Sequence, residues 1–298
     1  MIPVGKKVAV ALSIDFDAMA IWDGSFHMLT PAYMARGEFG AEVGAQRLLK
    51  LFEKHQVRTT WCIPGHTVDT FPEACREVLA AGHEIAHHGY AHENPTEIDK
   101  ETERQVLQRG IAALERIGVK PHGYRSPFWD FSPNTLDLLE ELGFEWDSSL
   151  MANDLHPYYP RRVTRPSTVQ HGNNQVADMA SVFGEPSPVL EIPPSWYQTD
   201  FPIEEYIAGV QHGMYPVAHL EERWRAGFDY AANEEEEGCC YTLTIHPQTS
   251  GRAHMIQMLD GLFAHMKAHG AAFMTLSEIA DATEIQPRSG AMAATTTP

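Results

Sequence analysis

Short β-forming runs that alternate with longer stretches of helical periodicity constrain this chain more than any other feature. The runs are Val8 to Ile14, Arg58 to Ile63, His83 to His87, His122 to Arg125, Phe144 to Asp147, Val189 to Ile192, Tyr241 to Ile245 and Ala271 to Met274. Between them Val43 to His55, Pro72 to Ala81, Lys100 to Ile117, Ser132 to Leu142 and His254 to His269 repeat apolar residues at helical spacing. Such alternation is the signature of strand–helix units around a parallel sheet, and eight runs suit an α/β barrel. The helix ends are marked chemically. Ser132-Pro133 reads as an N-cap followed by proline, Gly82, Gly118, Gly143 and Gly270 as left-handed C-terminal caps, and Thr275 with Glu278 as a capping box.

Composition narrows the partners. With 22 Lys plus Arg against 40 Asp plus Glu, the net charge is -18, which repels nucleic acid and anionic membrane surfaces. No stretch approaches the roughly 18 apolar residues of a membrane span. Val8 to Ile14 runs straight into Asp15 and Asp17, so it reads as a buried strand rather than a targeting signal. Cys62, Cys75, Cys239 and Cys240 have neither disulfide-scaffold density nor zinc-site spacing; reduced thiols in a cytoplasmic protein are the expectation. Met151 to Pro188 reads as a long aperiodic excursion, Glu234 to Glu237 as a solvated turn, and residues 286–298 as a disordered tail after a single domain over 1–285.

Five segments place chemistry at the C-terminal ends of strands, where barrel enzymes collect catalytic groups. In Ser13-Ile14-Asp15-Phe16-Asp17 the two carboxylates share one strand face and repel unless a cation or an arginine lies between them; a solvated cap is the plain alternative. His88 and His92 have i, i+4 spacing, which brings two imidazoles to one point, and two His with one Asp leave coordination positions open, as catalytic zinc sites do. His83 and His87 read instead as core or supporting histidines. Pro127 holds Ser126 extended, which presents Arg125 for pairing with a carboxylate such as Asp15. His246, before Pro247, is held where it can protonate a leaving amine, and Asp147 is the candidate to orient that ring or raise its pKa. Trp22, Trp129 and Trp196 are the candidate substrate contacts; Trp146, Tyr197 and the stretch Glu191 to Trp196 are further candidates for the pocket wall.

In order and spacing these segments resemble the motifs of the polysaccharide deacetylase family, the NodB-like domain of carbohydrate esterase family 4, from about Val8 to Ala280. The resemblance implies a distorted (β/α) barrel, usually of seven strands, so one of the eight runs is expected outside it. It implies hydrolytic removal of acyl groups from amide nitrogen with a divalent metal, zinc foremost, held by Asp, His and His. By matching position Asp15 takes the part of general base, His88 and His92 of metal ligands, Arg125 of the tether of the base, and His246 of general acid. The family's first motif commonly has adjacent aspartates followed by glycine; here Phe16 intervenes, so Asp17 is the expected third ligand, and Phe128-Trp129 stands where the third motif usually has glycine. The Asp-Phe-Asp form, with Arg36 to Gly40 and His88 to Pro95, is similar to a subgroup of intracellular peptidoglycan deacetylase-like proteins, cyclic imide hydrolases and, more distantly, a ureide-hydrolysing allantoinase. Members of that subgroup are often homotetramers. The expected substrate is a sugar amide or a smaller imide or ureide. Two other classes compete: a non-catalytic, metal-stabilised carbohydrate-binding protein, and a structural oligomer whose histidines are merely buried.

Overall fold

All eight residues of β1 (Val8–Asp15) are buried, as both faces of a central parallel strand must be. The computed structural model describes residues 5–164, 168–171, 174–177, 182–235 and 238–284. After β1 come β2 (Thr60–Ile63), β3 (Glu84–His87), β4 (Gly123–Tyr124), β5 (Trp146–Asp147), β6 (Leu190–Glu191), β7 (Cys240–Ile245) and β8 (Ala271–Phe273). β7 pairs with Ala9–Ile14 on one edge of β1. On the other edge β2 takes Ser13–Asp15 and β8 takes Val8–Val10. β8 therefore sits below β2, off the seven-strand path β6-β5-β4-β3-β2-β1-β7, which curls into an incomplete barrel with helices outside. All eight runs form strands, and the last is the one outside the barrel path.

Strand periodicity sorts the side chains between the two faces. Val8, Val10, Leu12 and Ile14 of β1, with Tyr241, Leu243 and Ile245 of β7, face outward and pack on helices Ala45–His55, Val217–Asn233 and Ala253–Ala268. Each fully buried Leu, Ile or Phe there contributes roughly 1.5–3 kcal/mol. The alternate residues Ala9, Ala11, Cys62, Ala86 and Cys240 are small and meet inside with Trp146, Leu190 and Ile192. These inner rows continue upward as Ser13 and Asp15 on β1 and as Thr242, Thr244 and His246 on β7, all buried. The interior is thus apolar and narrow below and polar at the C-terminal rim.

The excursion between β5 and β6 carries two antiparallel strand pairs, Arg161–Thr164 with Val182–Pro186, a pair that packs on the barrel, and Thr168–His171 with Asn174–Ala177. Arg162 fixes the first pair to helix Thr135–Leu142 through Asp137 and Glu140. That helix ends on Gly143 at φ 77°, and Thr275 with Glu278 forms the capping box of the last helix, Leu276–Ala282. Ser132 Oγ accepts the Asn134 N–H at 2.9 Å and donates to the buried Glu103 at 2.6 Å, just ahead of the helix, whose regular turns begin after Asn134. The four cysteines are buried and free. Among the described residues no helix is long and apolar enough to cross a membrane. Glu236, Glu237 and the tail from 286 lie outside the described residues.

Candidate active site

His88 directly follows β3, and two left-handed residues, Gly89 at φ 70° and His92 at φ 62°, turn the next segment back on itself. Glu93 closes this loop by accepting the backbone N–H groups of Tyr90 and Ala91 at 3.1 and 2.8 Å. A single π-turn, Ile21–Ser25, lies against it so closely that a Cβ on Gly24 would stand 1.8 Å from the Ala91 carbonyl oxygen. His88 Nδ1 donates to the Arg125 carbonyl at 2.7 Å. Ser25 Oγ donates to the His92 carbonyl at 2.8 Å, so His92 Nδ1 is the donor to Ser25 Oγ at 2.5 Å. Both rings therefore present the lone pair of Nε2 to the same point.

Asp17 faces that point. Its Oδ1 lies 3.4 Å from His88 Nε2 and 3.8 Å from His92 Nε2, and the three ligand atoms all fall within 4.8 Å of one another. Bonds of about 2.1 Å at tetrahedral angles would separate ligand atoms by about 3.4 Å. Both Asp17 oxygens and His88 Nε2 are buried without a hydrogen-bond partner, which is costly for a carboxylate unless a cation compensates. Burial opposes ionisation of Asp17, yet the neighbouring histidines hold its pKa well below the usual carboxylate range. Burial pushes His92 down to about 4. An anionic carboxylate with neutral imidazoles is the donor set a divalent cation needs.

Asp15 ends β1 beside this cluster and is held by Arg125. The guanidinium Nη1 donates to Asp15 Oδ1 and Ser13 Oγ, each at 2.9 Å, and to Thr244 Oγ1 at 3.1 Å. Nε reaches the Ser148 carbonyl at 2.8 Å and Nη2 the Ser148 hydroxyl at 2.7 Å. A guanidinium anchored on so many sides cannot swing away. Burial would raise the pKa of Asp15, but Arg125, His88 and His246 outweigh it and keep the carboxyl ionised. Trp129 Nε1 donates to the other oxygen, Oδ2, at 3.3 Å.

His246 stands across the cleft, its Nε2 3.9 Å from Asp15 Oδ2 and 3.8 Å from Asp17 Oδ2. Its Nδ1 donates to Asp200 Oδ1 at 2.6 Å. Asp200 Oδ2 accepts the backbone N–H of His246 at 2.9 Å, the Ser250 hydroxyl at 2.5 Å and the Thr249 hydroxyl. Burial lowers the pKa of His246, but the Asp200 charge overcomes this and lifts it to about 9. Asp147, expected in this orienting place, is not there. Trp146 takes the inner face of β5, so Asp147 points outward and meets Ser149 and Glu191 instead. His87 likewise faces outward and binds the Leu107 carbonyl at 3.0 Å, as a supporting histidine does.

The cleft over these groups is small, about 120 Å³, and its walls are mainly apolar rings: Phe26, Phe128, Trp129, Trp196 and Phe201. Trp129 and Trp196 stack at 4.4 Å and 29°. Ala18, Phe128 and Trp129, like His92, are held at positive φ, at 48°, 58° and 50°, and the Phe128 ring packs on His92. Trp22 does not reach the cleft; it is fully buried behind it against Phe26, Tyr33 and Phe201. Trp146 fills the barrel interior, and of Glu191 to Trp196 only Trp196 lines the cleft. Ser25, Phe26, Glu93, Asp200 and Phe201 were not singled out from the sequence. Glu93 alone offered a signal there, a carboxylate one residue after a candidate ligand.

The chain belongs to the polysaccharide deacetylase family, and with it to the hydrolases of amide carbon–nitrogen bonds. The family's model, described as polysaccharide deacetylase, matches residues 38–146. The peptidoglycan deacetylase of Helicobacter pylori is 35% identical over 284 residues, which cover 93% of this chain and 97% of that one. A crystal structure of a Mycobacterium smegmatis protein of the same family superposes with a TM-score of 0.78 at 31% identity, covering 96% of each chain. An allantoinase structure superposes at 0.72 with 23% identity, over 94% of this chain and 91% of its own, which is a likeness of fold.

Proposed function

We propose that the protein is a metal-dependent hydrolase that removes an acyl group from the amide nitrogen of an N-acetylated sugar. The observation that carries this reading is the Asp17–His88–His92 cluster, with His246 standing within 3.9 Å of both Asp15 and Asp17. Zinc suits one carboxylate and two imidazoles, which would hold it with coordination positions open. When bound, such an ion supplies Lewis acidity toward the amide carbonyl and makes water more acidic. Asp15 takes the proton of the attacking water at Oδ2, the oxygen Arg125 leaves free. His246 gives its Nε2 proton to the departing nitrogen while Asp200 holds the ring by Nδ1. Each proton transfer contributes roughly 10²–10⁴ in rate. The aromatic walls exclude water and stack against the group beside the scissile bond. A non-catalytic sugar-binding role leaves the paired placement of Asp15 and His246 without a purpose.

The cleft favours a second reading, in which the substrate is a small cyclic imide or ureide. About 120 Å³ bounded by aromatic rings suits a compact planar amide better than a polymer segment. The homo-oligomer and the cytoplasmic setting belong to the proposal as well, and light scattering and cell fractionation test them. The function itself is tested by metal analysis of the purified protein together with turnover of N-acetylglucosamine oligomers, succinimide and hydantoin rings, and allantoin. About one divalent ion per chain and chelator-sensitive hydrolysis of one member of the panel are expected. A metal-free protein whose turnover ignores chelation would overturn the reading.

A further inference from the structure

Away from the cleft, Asp147 and Glu191 form a second buried pair of carboxyl groups that the proposed chemistry does not use. They are register partners on the neighbouring parallel strands β5 and β6, and neither is exposed. Glu191 Oε1 accepts the backbone N–H groups of Ser149 and Leu150 at 2.9 and 3.0 Å. Asp147 Oδ1 accepts the Ser149 hydroxyl at 2.8 Å. That leaves Asp147 Oδ2 and Glu191 Oε2, two buried oxygens with no donor. The charged and titratable groups that face the pair are Arg125, Tyr124 and Tyr158. Arg125 spends its donors on Ser13, Asp15, Thr244 and Ser148, and the Tyr124 hydroxyl on Ser126. The Tyr158 hydroxyl accepts the Ala152 N–H. Two carboxylates side by side at this depth cannot both stay charged, and a proton on one supplies the missing donor for the other.

The turn that follows Asp147 is the anchor of Arg125. Ser148 accepts two of its bonds, and Ser149 Oγ accepts the Ser126 N–H, adjacent to Arg125, at 2.8 Å. We propose that Glu191 is a positioning residue: it shares one proton with Asp147, and the proton holds the Ser148–Ser149 turn against Arg125 and so aims Asp15. Burial pushes Asp147 up to about 6. Burial and the Asp147 charge raise Glu191 well above the usual carboxylate range, so the pair keeps a proton that a free carboxyl would have lost. Loss of that proton to solvent at high pH leaves two anions in register and drives the turn apart.

The activity part of the test rests on the hydrolase reading above; the protonation part does not. Infrared spectra of the full chain near neutral pH should show a protonated-carboxyl C=O band that disappears in Glu191→Gln. The native pair holds a proton that the unfolded chain releases, so wild-type thermal stability should fall with pH above the ordinary carboxylate range more steeply than that of Glu191→Gln. Glu191→Ala should lower kcat roughly 10- to 100-fold at unchanged metal content. Glu191→Gln, which keeps an N–H for Asp147, should restore most of it. A missing band, superimposable stability slopes, or equal damage from Gln and Ala would each refute the proposal. If no variant and no wild type hydrolyses any amide, the hydrolase reading fails, and the band still decides the proton.

Discussion

Replacing Asp200 with Asn removes the charge that keeps His246 an acid at nearly unchanged side-chain volume. The carboxylate contacts Nδ1 at 2.6 Å, and with charge centres about 4 Å apart at an effective dielectric of about 20 the attraction is about 4 kcal/mol, or about three pKa units. The pKa of His246, about 9 with Asp200 in place, should drop by that amount, and the alkaline limb of kcat/KM should move down with it. A bound cation lowers the limb in both proteins, so the difference between them carries the test. Stability gives the same sign. A raised imidazole pKa stabilises fully below its unfolded value of 6.5 and loses that contribution as pH climbs toward 9. Wild-type metal-free protein should therefore lose more melting temperature across this window than Asp200→Asn does. The assays are a pH–rate profile on metal-loaded enzyme and a melting series on the metal-free form. An alkaline limb that stays in place in the variant would refute the assignment of His246 as the acid.

Three other substitutions separate the parts of the site. Asp15→Asn should bind metal normally and lose roughly 10²- to 10⁴-fold in kcat, checked by metal analysis beside steady-state kinetics; near-normal turnover would remove Asp15 from the chemistry. Gly24→Ala must displace the Ala91 carbonyl, 1.8 Å from the new Cβ, at a cost of roughly 1–3 kcal/mol. Denaturant unfolding should show that loss together with weaker metal retention, because the displaced loop carries His92. Trp196→Ala strips one face of the stacked pair, and KM should rise while metal content holds; unchanged KM on every substrate would show that the ring is only packing.

Much of this was legible because a strand has period two. Asp15 and Asp17 extend the inner row Ala9, Ala11, Ser13, and His246 extends Cys240, Thr242, Thr244, so alternation alone aims both at the rim. Applied to Trp146, the same rule sends Asp147 outward, where the structure has it. Asp200 was illegible because it lies 46 residues from His246 on a different loop, and no local pattern marks a contact at that separation. Trp22 misled for the converse reason: burial and a rim position look alike in a sequence, and only the tertiary packing of Phe26 and Phe201 separates them.

Ala18, His92, Phe128 and Trp129 all take backbone angles that side chains disfavour, at φ 48°, 62°, 58° and 50°. Each such residue costs roughly 1–3 kcal/mol and persists only because its surroundings enforce it. Selection for heat resistance alone would trade these positions for glycine or slacken their loops. One imidazole and the indole over Asp15 would then be the first groups to lose their aim. Durability and turnover in this molecule are governed by the same few dihedrals, and a hardened variant is the place to look for a slow one.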